Sequence, residues 1–78
     1  MDKETLEKVL DILKKERNRI AIAIGGCYDA IKAEADKEDD DALFDAVMEL
    51  RELERGQLTI RRLQYRIEQH FKNGDNNE

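Results

Sequence analysis

The sequence predicts an all-α protein whose single domain is a long antiparallel helical hairpin. Two rows of mainly apolar residues predict it, because each row repeats with alternating spacings of four and three, as in a coiled-coil heptad. An acidic segment at 36–41 separates the rows and predicts the turn. The first row is Leu6, Leu10, Leu13, Arg17, Ile20, Ile24, Cys27 and Ile31. The second row is Leu43, Ala46, Leu50, Leu53, Gln57, Ile60, Gln64, Ile67 and Phe71.

If the chain folds back at 36–41, the two rows align layer by layer. Leu6 then faces Phe71 at the open end of the hairpin, and Ile31 faces Ala46 beside the turn. One turn therefore satisfies the antiparallel pattern along the whole chain. We call the two rows together the heptad stripe.

Length and composition agree with this architecture. The chain has 78 residues, of which 42% are charged and 40% hydrophobic, with no Pro and no Trp. A chain of this size forms one domain with a small core, and a sheet would need more β-branched and aromatic residues. The N-terminal residues are polar and no run of ~20 apolar residues occurs, so we expect neither a signal peptide nor a membrane span. A single Cys is typical of a cytoplasmic protein.

The predicted domain covers 1–73 and consists of a helix at about 3–35, the acidic turn at 36–41 and a helix at about 42–73. Asn73-Gly74 is expected to end the second helix, and the acidic tail at 74–78 is expected to be disordered. Candidate N-caps precede both helices. They are Asp2 or Thr5 for the first helix and Asp39, Asp40 or Asp41 for the second. The acidic turn lacks the spacing of a calcium-binding loop, so capping explains it better.

Two adjacent glycines, Gly25-Gly26, interrupt the first helical segment. The preceding residues 20–24 alternate between Ile and Ala, which alone is typical of a strand followed by a turn. A lone strand would have no partner here, and the heptad spacing continues through the glycines. Either the glycines allow close packing, with Gly56 opposite Ala21 in the proposed register, or they kink or break the first helix.

Apolar residues also occur outside the heptad stripe, which predicts self-association. A two-helix hairpin cannot bury two sides of each helix, so these residues predict an interface. The simplest closure is a homodimeric four-helix bundle, with larger helical oligomers as the alternative. The predicted interface residues are Val9, Ile12, Ile22, Tyr28, Phe44, Val47, Leu58 and Tyr65.

Polar residues occupy the middle of the heptad stripe. Arg17 is predicted to lie near Gln57 and Gln64, and a polar layer of this kind often fixes register and partner choice. Alternatively these residues line a pocket for an anion or nucleotide, since the guanidinium of Arg is a planar donor fork. The candidate ligand-binding residues are Lys14, Lys15, Arg17, Gln57, Arg61, Arg62 and Gln64.

The same region forms a basic belt, which we define as residues 8–19 and 55–66. The first segment has five basic and two acidic residues, and the second has four basic and none acidic. Such a belt is typical of nucleic-acid binding, although only Tyr65 provides an aromatic platform there. The layout of two helices, an acidic turn and an acidic tail resembles the Rop family of plasmid copy-number regulators. That resemblance implies a dimeric four-helix bundle that binds RNA, but no motif carries over residue by residue.

The sequence provides no constellation for catalysis or metal binding. The single Cys27 and the single His70 fall near opposite ends of the hairpin, so they cannot form a nucleophile–base pair. No Gly-rich phosphate loop follows a strand, and no cofactor is implied. We therefore predict a small non-enzymatic interaction module of the cytoplasm, acting as adaptor, regulator or inhibitor of a larger protein. The alternative is a binder of nucleic acid or of a phosphorylated ligand through the basic belt.

Overall fold

The fold is an antiparallel helical hairpin. The structure, a computed structural model, describes the backbone of residues 2–76 and the side chains of residues 2–72. Helix α1 spans Lys3–Ala35 and helix α2 spans Asp40–Asn76, and they pack along their lengths. No strand occurs within the described backbone. The predicted all-α hairpin is therefore confirmed.

Aspartate side chains cap both helices. Asp2 Oδ1 accepts a hydrogen bond from the backbone N–H of Thr5 at 2.7 Å, so Asp2 rather than Thr5 is the N-cap of α1. Asp39 Oδ1 accepts from the backbone N–H of Ala42 at 3.1 Å, which makes Asp39 the cap of α2. The turn is closed by a hydrogen bond from the N–H of Lys37 to the carbonyl of Glu34 at 3.0 Å.

Helix α2 is longer at both ends than the sequence predicts. It begins at Asp40 rather than at about Ala42, because Asp39 supplies the cap. It also continues to Asn76, past the end predicted at Asn73-Gly74. The disorder expected for the acidic tail stays a prediction. Glycine costs a helix only about 1 kcal/mol relative to Ala, which does not by itself end the helix. The remaining predicted tail residues, 77–78, lie outside the described residues.

The heptad stripe forms the seam between the helices, as predicted. Each of its members is buried or half-buried. The most buried are Leu6, Ile20, Cys27, Ile60 and Gln64, with 5–8% of their surface exposed. The seam therefore contains a buried polar side chain among its apolar ones.

Gly25 and Gly26 neither break helix α1 nor pack against the opposite helix, and the alternative of a kink stays a prediction. Helix α1 runs unbroken through Gly25-Gly26, which rules out the predicted break. A Cβ atom placed on either glycine would have no neighbour within 4 Å, so the predicted close packing is absent there too. A Cβ atom on Gly56 would lie 3.7 Å from Cδ1 of Ile20, not against Ala21. Of these three glycines, only Gly56 therefore packs against the opposite helix.

The hairpin is elongated and its core is thin. It measures 63 Å by 15 Å by 14 Å, with a Cα radius of gyration of 17.7 Å. A compact domain of this length would have a radius of gyration of about 11.5 Å. Most side chains therefore lie at the surface or directly beneath it.

Candidate functional site

Two adjoining depressions lie on one side of the hairpin near its middle. Both are lined by Arg17 of α1 and Arg61 of α2, and we call them together the Arg17 groove. The first, of about 460 Å³, is completed by Gln64, Tyr65 and Glu68. The second, of about 490 Å³, is completed by Lys14, Asn18, Ala21 and Gln57.

The helical repeat explains why these residues meet. Arg17 belongs to the heptad stripe, so its side chain emerges between the helices. Lys14, Asn18 and Ala21 recur at spacings of four and three residues and therefore lie along one edge of α1. Gln57, Arg61 and Gln64 form the corresponding edge of α2.

Arg17 contacts a neutral partner across the seam. Its Nη1 donates to Oε1 of Gln64 at 3.5 Å, a distance at the long limit for a hydrogen bond. Helical side chains lean toward the N-terminus of their own helix, and in α1 that direction runs toward higher residue numbers of α2. Arg17 therefore reaches Gln64 rather than Gln57. Only 6% of the Gln64 surface is exposed.

The groove has an excess of positive charge. Lys14, Arg17 and Arg61 line it together with one carboxylate, that of Glu68. No described carboxylate lies within ion-pairing distance of Arg17, Arg61 or Lys14. The arrangement leaves several N–H donors and an open depression on the same side of the molecule.

Five of the seven predicted ligand-binding residues line the groove, and two do not. Lys15 points away and its ammonium lies 3.0 Å from the carboxylate of Asp11. Arg62 follows Arg61 on α2 and lines neither depression. The sequence prediction of ligand contacts also omitted Asn18, Ala21, Tyr65 and Glu68. All four lie four residues after a predicted residue (Lys14, Arg17, Arg61 or Gln64), so helical spacing could have found them.

A row of exposed apolar side chains runs along α2 on the same side as the groove. We call Phe44, Val47, Leu58 and Tyr65 the α2 apolar row; their exposed fractions are 62%, 44%, 49% and 63%. Phe44, Leu58 and Tyr65 are separated by multiples of seven, so they share one heptad position. Tyr65 also lines the Arg17 groove, which joins the two features.

Tyr28 of α1 belongs to the same side. Its hydroxyl donates to Oε1 of Glu54 at 3.4 Å, and Glu54 lies seven residues after Val47 on α2. Tyr28 is 49% exposed. Five of the eight predicted interface residues therefore lie on one side of the hairpin.

The other predicted interface residues do not join this surface. Ile12 is 63% exposed and lies one turn before Glu16, which lines a depression on the opposite side of the seam together with Gly56. Val9 is half-buried one turn before the stripe residue Leu13. Ile22 is 78% exposed and lies next to Ala21 but outside the groove.

Cys27 is a buried thiol without catalytic partners. Only 5% of its surface is exposed. Loss of hydration raises the pKa of the thiol, and the carboxylate of Glu49 raises this pKa further. Both effects favour the protonated, unreactive thiol. Cys27 therefore acts as an apolar member of the seam.

The described residues contain neither a metal-binding cluster nor a membrane-spanning helix. No group of three or more His, Cys, Asp or Glu side chains in residues 2–72 is placed to hold a metal ion. Neither helix, over its described length, contains a segment long and apolar enough to cross a bilayer.

In comparisons with known proteins, the chain matches no family model, no curated protein and no solved structure. The Arg17 groove and the α2 apolar row are therefore the features from which a function can be inferred.

Proposed function

We propose that this protein is a non-enzymatic interaction module of the cytoplasm that pairs with a second copy of itself. In this proposal the α2 apolar rows of two hairpins pack together and form a four-helix bundle. The assembled bundle then acts on a larger protein as an adaptor, regulator or inhibitor.

The exposure of large apolar side chains carries the proposal. Within residues 2–72, eight such side chains are 41–78% exposed, whereas only four apolar residues fall below 9%. An elongated hairpin with so thin a core is marginal as a monomer. Burial of apolar surface contributes about 25 cal/mol per Å², so covering the α2 apolar row would add stability that the isolated hairpin lacks.

A second hairpin is the occupant that the pattern favours. Three members of the α2 apolar row, Phe44, Leu58 and Tyr65, are separated by multiples of seven, so they form a second heptad row beside the seam that α1 already covers. Two such rows can pack antiparallel about a two-fold axis, and each residue then meets its equivalent or its neighbour. This isologous closure buries both rows and leaves no further row open on that side.

The test compares Leu58→Ser with Leu63→Ser. Both leucines lie on α2 with similar exposure, 49% and 41%, but only Leu58 belongs to the α2 apolar row. We expect the wild-type protein at tens of micromolar to sediment with about twice the chain mass of 9.1 kDa. Leu58→Ser should weaken the dimer by about tenfold or more, the effect of removing one well-buried apolar contact. Leu63→Ser should leave the dimer intact.

Sedimentation equilibrium and circular dichroism read out the test together. A wild-type protein that is helical and monomeric at these concentrations would contradict self-association. An equal loss of dimer in both variants would contradict the assignment of the interface to the α2 apolar row.

A further inference from the structure

We propose that the Arg17 groove binds the phosphate groups of a small phosphorylated ligand, of the size and charge of a nucleoside diphosphate. This inference goes beyond the interaction function proposed above. It assigns a binding site to residues that an interaction module does not need in order to fold.

The seam contains a positive charge that no described carboxylate compensates. Three charged side chains in residues 2–72 are half-buried rather than exposed: Glu16, Arg17 and Glu34. Glu16 pairs with Arg19, and Glu34 pairs with Lys37 at 3.5 Å. Arg17 alone lacks an oppositely charged partner among the described residues, and its contact is the neutral amide of Gln64. Partly desolvated charges are normally paired, so this position favours an external anion.

The hydrogen-bond donors of the Arg17 groove come from both helices. Arg17 and Arg61 approach the groove from opposite helices and line both of its depressions, so one ligand can contact both guanidinium groups. Guanidinium forks match the oxygens of a phosphate group bidentately. Lys14 adds a third cation and Gln57 adds amide donors. A di-anionic or tri-anionic phosphate compensates three cations better than a single carboxylate does.

The Arg17 groove is large enough for a small molecule and borders an aromatic side chain. Each depression has a volume of about 460–490 Å³, which is within the range of small-molecule sites. Tyr65 borders the depression that contains Glu68, and 63% of its surface is exposed. In the single hairpin this ring is open to a base attached to the phosphates, whereas the proposed dimer would cover it, so the phosphate contacts of Arg17 and Arg61 carry the binding.

Several other cations of the basic belt are already neutralised, which argues against a long nucleic-acid track. Lys8, Lys15 and Arg19 pair with Glu4, Asp11 and Glu16, respectively. Exposed aromatic platforms between the cations are also limited to Tyr65 within the belt. Arg55, Arg62 and Arg66 also have no ion pair within the described residues, but only Lys14, Arg17 and Arg61 line one groove together, so a compact ligand is favoured over a polymer.

The test compares Arg61→Gln with Arg62→Gln. These arginines are adjacent on α2 and both are exposed, but only Arg61 lines the groove. Titration calorimetry at low salt with inorganic pyrophosphate and with ADP measures affinity, and NMR of the arginine Nε–H groups locates the ligand. We expect Arg61→Gln to weaken both probes about tenfold, the usual effect of removing one charge-assisted hydrogen-bonded contact. Arg62→Gln should weaken them less than about twofold.

Three results would overturn the proposal. The first is no shift of the Arg17 and Arg61 signals at millimolar pyrophosphate or ADP. The second is an equal loss of affinity in both variants, which would show diffuse electrostatic binding. The third is a single-stranded RNA oligonucleotide that binds more tightly than ADP and depends on Arg62 as much as on Arg61, which would show a nucleic-acid surface.

Repeating the titration in Leu58→Ser separates this inference from the proposed function. If binding persists in a monomeric Leu58→Ser protein, the groove is a property of the single hairpin. If the wild-type protein proves monomeric and still binds ADP through Arg61, the interaction proposal fails while the groove stands.

Discussion

Arg17 and Ile20 belong to neighbouring layers of the seam, but they differ in burial and in the contacts that they make. Both residues belong to the heptad stripe of α1, and they are three residues apart. Ile20 is 5% exposed and its Cδ1 lies close to Gly56. Arg17 is half-buried and donates a hydrogen bond across the seam to the amide of Gln64. The same backbone geometry therefore supports one layer that stabilises the hairpin and one that exposes donors to a groove.

Folding of the hairpin requires apolar layers such as that of Ile20, and it tolerates the polar layer of Arg17. An apolar residue in place of Arg17 would satisfy the heptad pattern better. The chain nevertheless has an arginine at this position, in a seam that contains few buried apolar residues. This favours a role for the polar layer other than stability, such as register control or the ligand site proposed above.

The largest expected effect comes from disrupting the apolar layer. Ile20→Ala should lower the free energy of unfolding by about 2–4 kcal/mol, because it removes buried methyl groups and leaves a cavity beside Gly56. Urea denaturation followed by circular dichroism measures the change. Ile22→Ala is the matched control: Ile22 is two residues away and 78% exposed, so its loss should change stability by less than about 0.5 kcal/mol. Similar losses in the two variants would mean that Ile20 is not a core residue.

An intermediate effect of opposite sign is expected at the polar layer. Arg17→Met should raise the free energy of unfolding by about 1 kcal/mol, since a flexible apolar side chain replaces a partly desolvated charge. It should also weaken ADP binding, so stability and binding move in opposite directions. Lys14 lines the same groove but is exposed, so Lys14→Met should leave the free energy of unfolding nearly unchanged. A loss of stability in Arg17→Met would show instead that the Arg17–Gln64 contact holds the register.

The sequence predicted the seam well because the heptad period alone determines which residues face the opposite helix. Each predicted stripe member is buried or half-buried, and the helix α1 boundaries agree with those expected. Side-chain reach was harder to predict. The sequence placed Arg17 near both Gln57 and Gln64, and it is the lean of the side chain toward the α1 N-terminus that selects Gln64.

Residue type alone could not predict the local role of each glycine. Gly25 and Gly26 were interpreted as packing residues or a helix break, yet both lie in an unbroken helix with open space around them. Gly56, in contrast, packs against Ile20. Whether a glycine packs closely depends on which residues of the other helix lie opposite it, and the residue type alone does not give those neighbours. The same is true of the groove, where Lys15 and Arg62 were predicted and only their neighbours line it.

The smallest expected effects come from Gly25→Ala and Gly26→Ala. Each substitution should raise the free energy of unfolding of the hairpin by up to about 0.8 kcal/mol, because Ala favours the helix interior and its Cβ meets nothing within 4 Å. Gly25 lies seven residues after Asn18 and so on the groove side, whereas Gly26 lies seven residues after Arg19 on another side of α1. If a second hairpin approaches the groove side closely, Gly25→Ala should weaken the dimer several-fold while Gly26→Ala leaves it unchanged. Equal dimer affinities in the two variants would show that the partner contacts α2 alone, and a loss of monomer stability in either would show that the space beside that glycine is not open.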